Sequence, residues 1–171
     1  MPRYIKQKLR FDCVPTVVIN IGKWLGLPIT RKNDYNKIKK GTKCINGFEN
    51  GKAQYIVGSS ALYMMRYVRK IFNKKMDFVL LDKPTIPGAR KLLQNGHALL
   101  VSFAHQVDGR HITIFTDIET DCWYKKNDCW IGHNFYSDEA TSYITSEIMR
   151  KVFYNKYGTP LVWCLTKKGN K

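Results

Sequence analysis

The sequence predicts an α+β domain, because helical periodicity marks its first half and strand-like runs mark its second. Apolar residues recur at helical spacing over Pro15–Leu25 and again after Ser60. The later runs Ala98–Phe103 and Ile112–Phe115 have the β-branched and apolar character of strands in a mostly antiparallel sheet. The chain has 171 residues and is 44% hydrophobic, so residues 1–171 are expected to form a single domain.

Local start and stop signals predict the other elements. The first helix should end at Gly26-Leu27-Pro28, and residues 31–51 are polar enough to predict a long irregular connection. Ser59-Ser60 can cap the second helix. The remaining predicted elements are a strand at Phe78–Leu81, a helix at Ile86–Gln94, a hairpin of Cys122–Tyr124 with Cys129–Gly132, a helix at Ser142–Phe153 and a strand at Leu161–Leu165.

The chain is strongly basic, with 29 Lys and Arg against 13 Asp and Glu and a net charge of +16. Such a charge favours contact with polyanions such as nucleic acid, although a Lys-rich solvated surface gives the same composition. No segment predicts membrane insertion or a secretory signal, so the expected location is the bacterial or host cytoplasm, or a virion. The Lys-, Asn- and Tyr-rich composition would suit a phage protein.

The cysteines do not predict a metal site. Five cysteines are widely spread, and none forms a C-x-x-C pair. Cys122 and Cys129 could face each other across a hairpin, but we expect buried free thiols in a reducing compartment. The sequence implies no metal and no cofactor.

A candidate nucleophile, Cys13, directly precedes the first apolar helix. A thiol at a helix N-terminus feels the positive end of the helix dipole, which lowers its pKa. Backbone N–H groups at this position can also donate to an oxyanion. Gln7, six residues earlier, is a candidate second oxyanion donor, and Asp12 is expected to cap the helix.

A nucleophilic thiol needs a base and a group that orients the base. His111 opens the strand-like run that continues to Phe115, which makes it the candidate base. Asn134 ends the next strand-like segment and is the candidate orienting residue, with Asp117 and Asp128 as alternatives. The other histidines are expected to be structural or to lie in loops or at the surface: His97, His105 and His133.

These motifs resemble the papain-like cysteine peptidases, most closely the bacteriocin-processing (double-glycine leader) peptidases and their stand-alone relatives. In that family a Gln precedes an Asp-Cys-Gly-Pro motif, which Gln7, Asp12-Cys13 and Pro15 match. A Gly-His segment and a His-initiated strand follow, matched by Gly96-His97 and by His111–Phe115. Val14 replaces the family's usual Gly and should narrow the approach to the oxyanion site.

The resemblance implies a papain-like fold, in which a central N-terminal helix carries Cys13 and packs on the sheet. It also implies a thiol peptidase that hydrolyses a peptide or isopeptide bond through Cys13, His111 and Asn134, with Gln7 at the oxyanion. Peptides or proteins would be the substrates. Two alternatives stay open: an acyltransferase or deamidase with the same residues, and a catalytically silent basic protein that binds nucleic acid or belongs to an assembly.

Overall fold

The structure is a computed structural model that describes most of the chain. The described residues are 2–8, 12–44, 48–49, 52–53, 60–105, 109–120, 128–136, 138–155 and 158–169. Within these ranges, every helix is too short or too polar to cross a bilayer.

Five helices and eight strands are formed by the described residues. The helices are α1 Cys13–Trp24, α2 Arg31–Gly41, α3 Ala61–Phe72, α4 Ile86–Gln94 and α5 Ser146–Phe153. The strands are β1 Phe48–Glu49, β2 Lys52–Ala53, β3 Met76–Leu80, β4 Ala98–His105, β5 Gly109–Glu119, β6 Cys129–His133, β7 Ser142–Thr145 and β8 Leu161–Lys167.

Six of the strands form one sheet, in the order β3-β8-β4-β5-β6-β7, and every neighbouring pair is antiparallel. The predicted antiparallel sheet is therefore confirmed. A register shift between Phe115 and Asp117 interrupts the β5–β6 pairing. Such a bulge bends a strand locally and increases its twist.

The sheet separates two apolar layers, because side chains along a strand alternate between its faces. On β4, Leu100 packs in the layer that contains α1 and α3, whereas Leu99 and Val101 pack in the layer that contains α4 and α5. Strand β4 is therefore buried on both faces. Helix α1 contacts β5 directly, which places the start of α1 against the middle of the sheet.

Helix α2 corrects the prediction of an irregular connection over residues 31–51. Thr30 caps it by accepting a hydrogen bond from the Asn33 N–H, and the Asp34 carboxylate accepts one from the Thr30 N–H. Only Ile38 of this helix is buried. A helix that is polar nearly all round carries no apolar periodicity, so the pattern on which the prediction relied is missing.

The predicted helix Ser142–Phe153 is also wrong at its start. Residues Ser142–Thr145 form β7, and the helix begins only at Ser146. Tyr143, Ile144 and Thr145 have the aromatic and β-branched side chains that favour strands. Thr145 then caps α5 by accepting a hydrogen bond from the Ile148 N–H.

The cysteines differ in part from expectation. Cys44 and Cys164 are buried free thiols, as predicted, and Cys13 is also free. Cys129 is disulfide-bonded, which corrects its assignment as a free thiol. Its strand β6 pairs with β5 and β7, while Cys122–Tyr124 lies outside the described residues.

Candidate active site

Cys13 is the first residue of α1 and is partly buried against β5. The N–H groups of Ile112, Val14 and Cys13 itself are directed at its thiol. Ile112 directly follows His111, so the tertiary fold brings the candidate nucleophile to the strand that carries the candidate base. The Val14 side chain is 4% exposed and packs in the core. The predicted effect of Val14 on the approach to the oxyanion site stays a prediction.

Burial raises the pKa of the Cys13 thiol to about 11. The three N–H groups lower the pKa, and the Asp12 carboxylate raises it further. The prediction that the helix dipole lowers the pKa of Cys13 is thus wrong for the resting site. The cost of desolvating a thiolate outweighs the stabilisation that the three N–H groups provide. At neutral pH the thiol keeps its proton and depends on a base to remove it.

The Nε2 atom of His111 is held by the residue directly after β6. This nitrogen lies 2.7 Å from the backbone carbonyl oxygen of Asn134. Because a carbonyl can only accept, Nε2 carries the proton and Nδ1 has the lone pair. The ring of Phe103 packs edge-on against the imidazole, with 5.6 Å between centroids. The hydrogen bond to the Asn134 carbonyl therefore sets the orientation and the tautomer of the His111 ring.

The Asn134 side chain contacts Gln7 and not His111. Its Oδ1 accepts a hydrogen bond from the Gln7 backbone N–H at 2.8 Å, and its Nδ2 donates to Gln7 Oε1 at 3.1 Å. Asn134 is fully buried and has a left-handed φ of 63°, a conformation that Asn tolerates better than most residues. The three predicted residues Gln7, His111 and Asn134 thus form one connected network.

The two alternative acids lie elsewhere. Asp117 lies within β5 opposite Ile131, and Asp128 directly precedes β6, at the end of the β5–β6 pair opposite to Asn134. Asp117 is exposed and accepts a hydrogen bond from the Ile118 N–H. Asp128 forms an ion pair with Arg90 at 3.0 Å. Neither geometry brings a carboxylate to His111.

Asp12 does not cap α1, contrary to the prediction, since its side chain makes no capping hydrogen bond. Its carboxylate is fully buried, forms an ion pair with Arg31 at the start of α2 and accepts a hydrogen bond from the Lys8 N–H. The Arg31 guanidinium also packs over the ring of Tyr35, 4.6 Å from its centroid. Arg31 therefore joins α2 to the residue that precedes Cys13, a role that its sequence position did not signal.

The segment before α1 forms an ordered arm that the sequence did not reveal. Asn20 donates to the Ile5 carbonyl and accepts from the Ile5 N–H, both at 2.9 Å. The Tyr4 ring stacks on His133 with 3.3 Å between centroids. These contacts hold the two residues Tyr4 and Ile5, shortly before Gln7, so the position of Gln7 depends on α1 and on β6.

His133 is buried, which corrects its assignment to a loop or the surface. Its ring nitrogens lie 2.7 Å from the Thr116 hydroxyl and 3.1 Å from the Thr141 hydroxyl. Burial lowers the pKa of His133 from 6.5 to about 4. The neutral imidazole is therefore the form that the folded protein holds.

This burial predicts a loss of stability in acid. Between pH 6.5 and about 4 the unfolded chain binds the His133 proton and the folded chain does not, so stability is complete above that window and falls as the pH falls through it. The free energy of unfolding should drop by about 2–3 kcal/mol between pH 7 and pH 4.5. Urea unfolding of the wild type and His133→Gln at both pH values measures this. An equal pH dependence in the two proteins would contradict the assignment.

Comparison with solved structures found one fold similar to this one. The peptidase domain of Streptococcus ComA, a bi-functional ABC transporter involved in a quorum-sensing pathway, superposes with a TM-score of 0.64 at 10% sequence identity. The match covers 99% of this chain and 100% of that domain. No family model and no curated protein sequence matches the chain. The five helices, the antiparallel sheet and this superposition establish that the chain has the papain-like cysteine-peptidase fold.

Proposed function

We propose that this protein is a thiol-dependent peptidase that cleaves peptide or isopeptide bonds, with Cys13 as nucleophile and His111 as base. The observation that carries the proposal is the placement of Cys13. Its thiol faces the backbone N–H of Ile112, the residue that follows His111 on β5, and His111 Nε2 is held by the Asn134 carbonyl. A nucleophile beside a base that is itself oriented by a third group is the arrangement that acyl transfer requires.

The reaction proceeds in two stages. His111 Nδ1 takes the thiol proton as the Cys13 sulfur attacks the amide carbonyl, and the same proton then passes to the leaving amine as the C–N bond breaks. A thioester remains. His111 next takes a proton from water, which attacks the thioester, and returns it to the Cys13 sulfur as the acid is released.

The oxyanion of each tetrahedral intermediate needs donors that are in place before the reaction. The Cys13 N–H at the start of α1 is one such donor. The Gln7 side-chain amide is the second donor. Its Oε1 accepts a hydrogen bond from Asn134, and its NH2 group is the part of the amide that can donate to the oxyanion. In this proposal Asn134 has two tasks, because its backbone orients His111 while its side chain orients Gln7.

The proposal can be tested without a known substrate. The wild type and Cys13→Ala are incubated with a peptide library prepared from a bacterial proteome, and mass spectrometry reads both new termini and mass changes of intact peptides. We expect new termini that depend on Cys13. Cys13-dependent deamidation or amine transfer without cleavage would replace the peptidase by a deamidase or acyltransferase. Identical products in both proteins would overturn the proposal.

A further inference from the structure

Helix α2 and Lys43, two residues after its end, carry a row of exposed lysines. Lys32, Lys37, Lys40 and Lys43 are all exposed. The only acidic residue of α2 is Asp34, which is half-buried and accepts a hydrogen bond from the Thr30 N–H. Four exposed lysines therefore stand against this one half-buried carboxylate, which lies near the Tyr67 side chain of α3.

Helix α3 and the turn after it continue the same pattern. Arg66, Arg69, Lys70, Lys74 and Lys75 are exposed, and residues 61–75 contain no Asp or Glu. Arg66 and Lys70 are four residues apart on α3, so their side chains lie along one side of the helix, and Lys74 follows in the turn. The Arg69 guanidinium packs 5.2 Å from the centroid of the Phe78 ring.

The two rows meet and form one surface, which we call the α2/α3 basic surface. The Lys43 ammonium lies 4.3 Å from the centroid of the Tyr63 ring. Gly41, the last residue of α2, packs against the Tyr67 ring so closely that a Cβ there would lie 2.0 Å from a ring carbon. None of the nine cations forms an ion pair in the described part of the chain.

We propose that the α2/α3 basic surface binds the phosphate backbone of a nucleic acid. Seven of its nine cations are lysines, compact point charges that can each neutralise one phosphate along a backbone. Leu62 and Tyr63 are the only large apolar side chains exposed on α3, which is too little apolar area for insertion into a bilayer. This inference does not depend on the proposed peptidase activity.

The chain offers a control on the other face of the sheet. Helices α4 and α5 pack in the opposite apolar layer, and they carry the exposed cations Lys91, Arg150 and Lys151. The test variant is Lys40→Gln/Arg66→Gln/Lys70→Gln, and the control is Lys91→Gln/Arg150→Gln/Lys151→Gln. Each triple removes three positive charges, and Gln is a good helix former. Both triples replace two lysines and one arginine, and the control also removes the exposed Lys151–Glu147 ion pair, at 3.3 Å.

The assay is fluorescence anisotropy of a fluorescein-labelled single-stranded DNA 20-mer over a series of KCl concentrations. The wild type should bind with an affinity that falls steeply with salt. Each phosphate contact on a single strand contributes about 0.7 to the slope of log K against log salt. The test triple should therefore lower this slope by about 2 and weaken binding about 10- to 100-fold at 0.1 M KCl. The control triple should bind as the wild type does.

Three results would overturn the inference. Equal weakening by both triples would mean that net charge binds DNA with no defined surface. No binding by the wild type would mean that the lysines are only solvated. The surface would be assigned to a lipid partner if the protein sedimented with phosphatidylglycerol vesicles. It would be assigned to an acidic-protein partner if polyglutamate at equal charge displaced the DNA. Thermal unfolding of each triple verifies that a loss of binding is not a loss of fold.

Discussion

Alanine at either Cys13 or His111 is expected to lower kcat/KM by about 10⁴- to 10⁶-fold, and the double variant should be no slower than the worse single variant. The reason is that burial holds the Cys13 thiol protonated, with a pKa of about 11. Without the imidazole the thiol is a poor nucleophile, and without the thiol the imidazole has no proton to transfer. The two residues therefore contribute as one unit.

Kinetics on a peptide from the library assay measure this, with the single and double variants in parallel. A second Cys/His pair provides the control. Cys164 and His97 both contact Thr166, on the strand β8, and have no contact with the network of Gln7. Cys164→Ala and His97→Ala should retain the wild-type kcat/KM. Multiplicative losses in Cys13→Ala/His111→Ala would show that the two residues act independently, against the proposed mechanism.

Features that depend on residues near in sequence were predicted well. The start of α1 follows from Pro15 and the apolar run behind it, and α4 was predicted with the bounds that the structure has, Ile86–Gln94. Caps formed by Ser60 and by the Asn95-Gly96 turn depend on three or four neighbouring residues. Such signals are contained in any short window of the sequence.

Features that depend on distant partners were not predicted. Asn134 was expected to orient His111 through its side chain, but that side chain is engaged by Gln7, 127 residues away. The backbone carbonyl that Asn134 offers to His111 would be available from any residue type, so no sequence pattern records it. The polar sequence predicts that Arg31 lies in an irregular connection, because α2 has no apolar periodicity. Its partner Asp12 lies across the turn between α1 and α2, where no local pattern records it.

The pKa of Cys13 shows why local reasoning about a site can have the wrong sign. The position of the thiol at a helix N-terminus was read correctly, and three N–H groups do lower its pKa. Desolvation by the packed sheet has the larger effect, and burial is a property of the whole fold. Reasoning from the sequence can include the effect of the helix dipole on the pKa, but it cannot include the effect of burial.

Replacement of Arg31 by methionine is expected to destabilise the protein by about 3–5 kcal/mol. The Asp12 carboxylate is 0% exposed, and its Oδ1 has no hydrogen-bond partner in the structure. Among the described residues, Arg31 thus provides the only positive charge paired with this carboxylate, which water does not reach. Methionine retains the apolar stem of the arginine and removes only the charge and its hydrogen bonds.

The contrast with a more exposed pair isolates the effect of burial. Arg90 pairs with Asp128, but its side chain is 42% exposed, so Arg90→Met should cost at most about 1 kcal/mol. Urea unfolding at pH 7 gives both values. The double variant Asp12→Asn/Arg31→Met should recover much of the loss, since no charge then remains buried. Equal costs for Arg31→Met and Arg90→Met would contradict the assignment.

The same variants report on the reactivity of Cys13. The Asp12 carboxylate raises the pKa of the neighbouring thiol, and Arg31 offsets that negative charge. Arg31→Met should therefore slow the alkylation of Cys13 by iodoacetamide at a fixed pH, whereas Asp12→Asn/Arg31→Met should restore or exceed the wild-type rate. If the alkylation rates followed the stabilities of the variants and not the charge near the thiol, Arg31 would have a purely structural role. A reversal by the neutral double variant would identify the ion pair as a positioning element that also sets the thiolate fraction of the nucleophile.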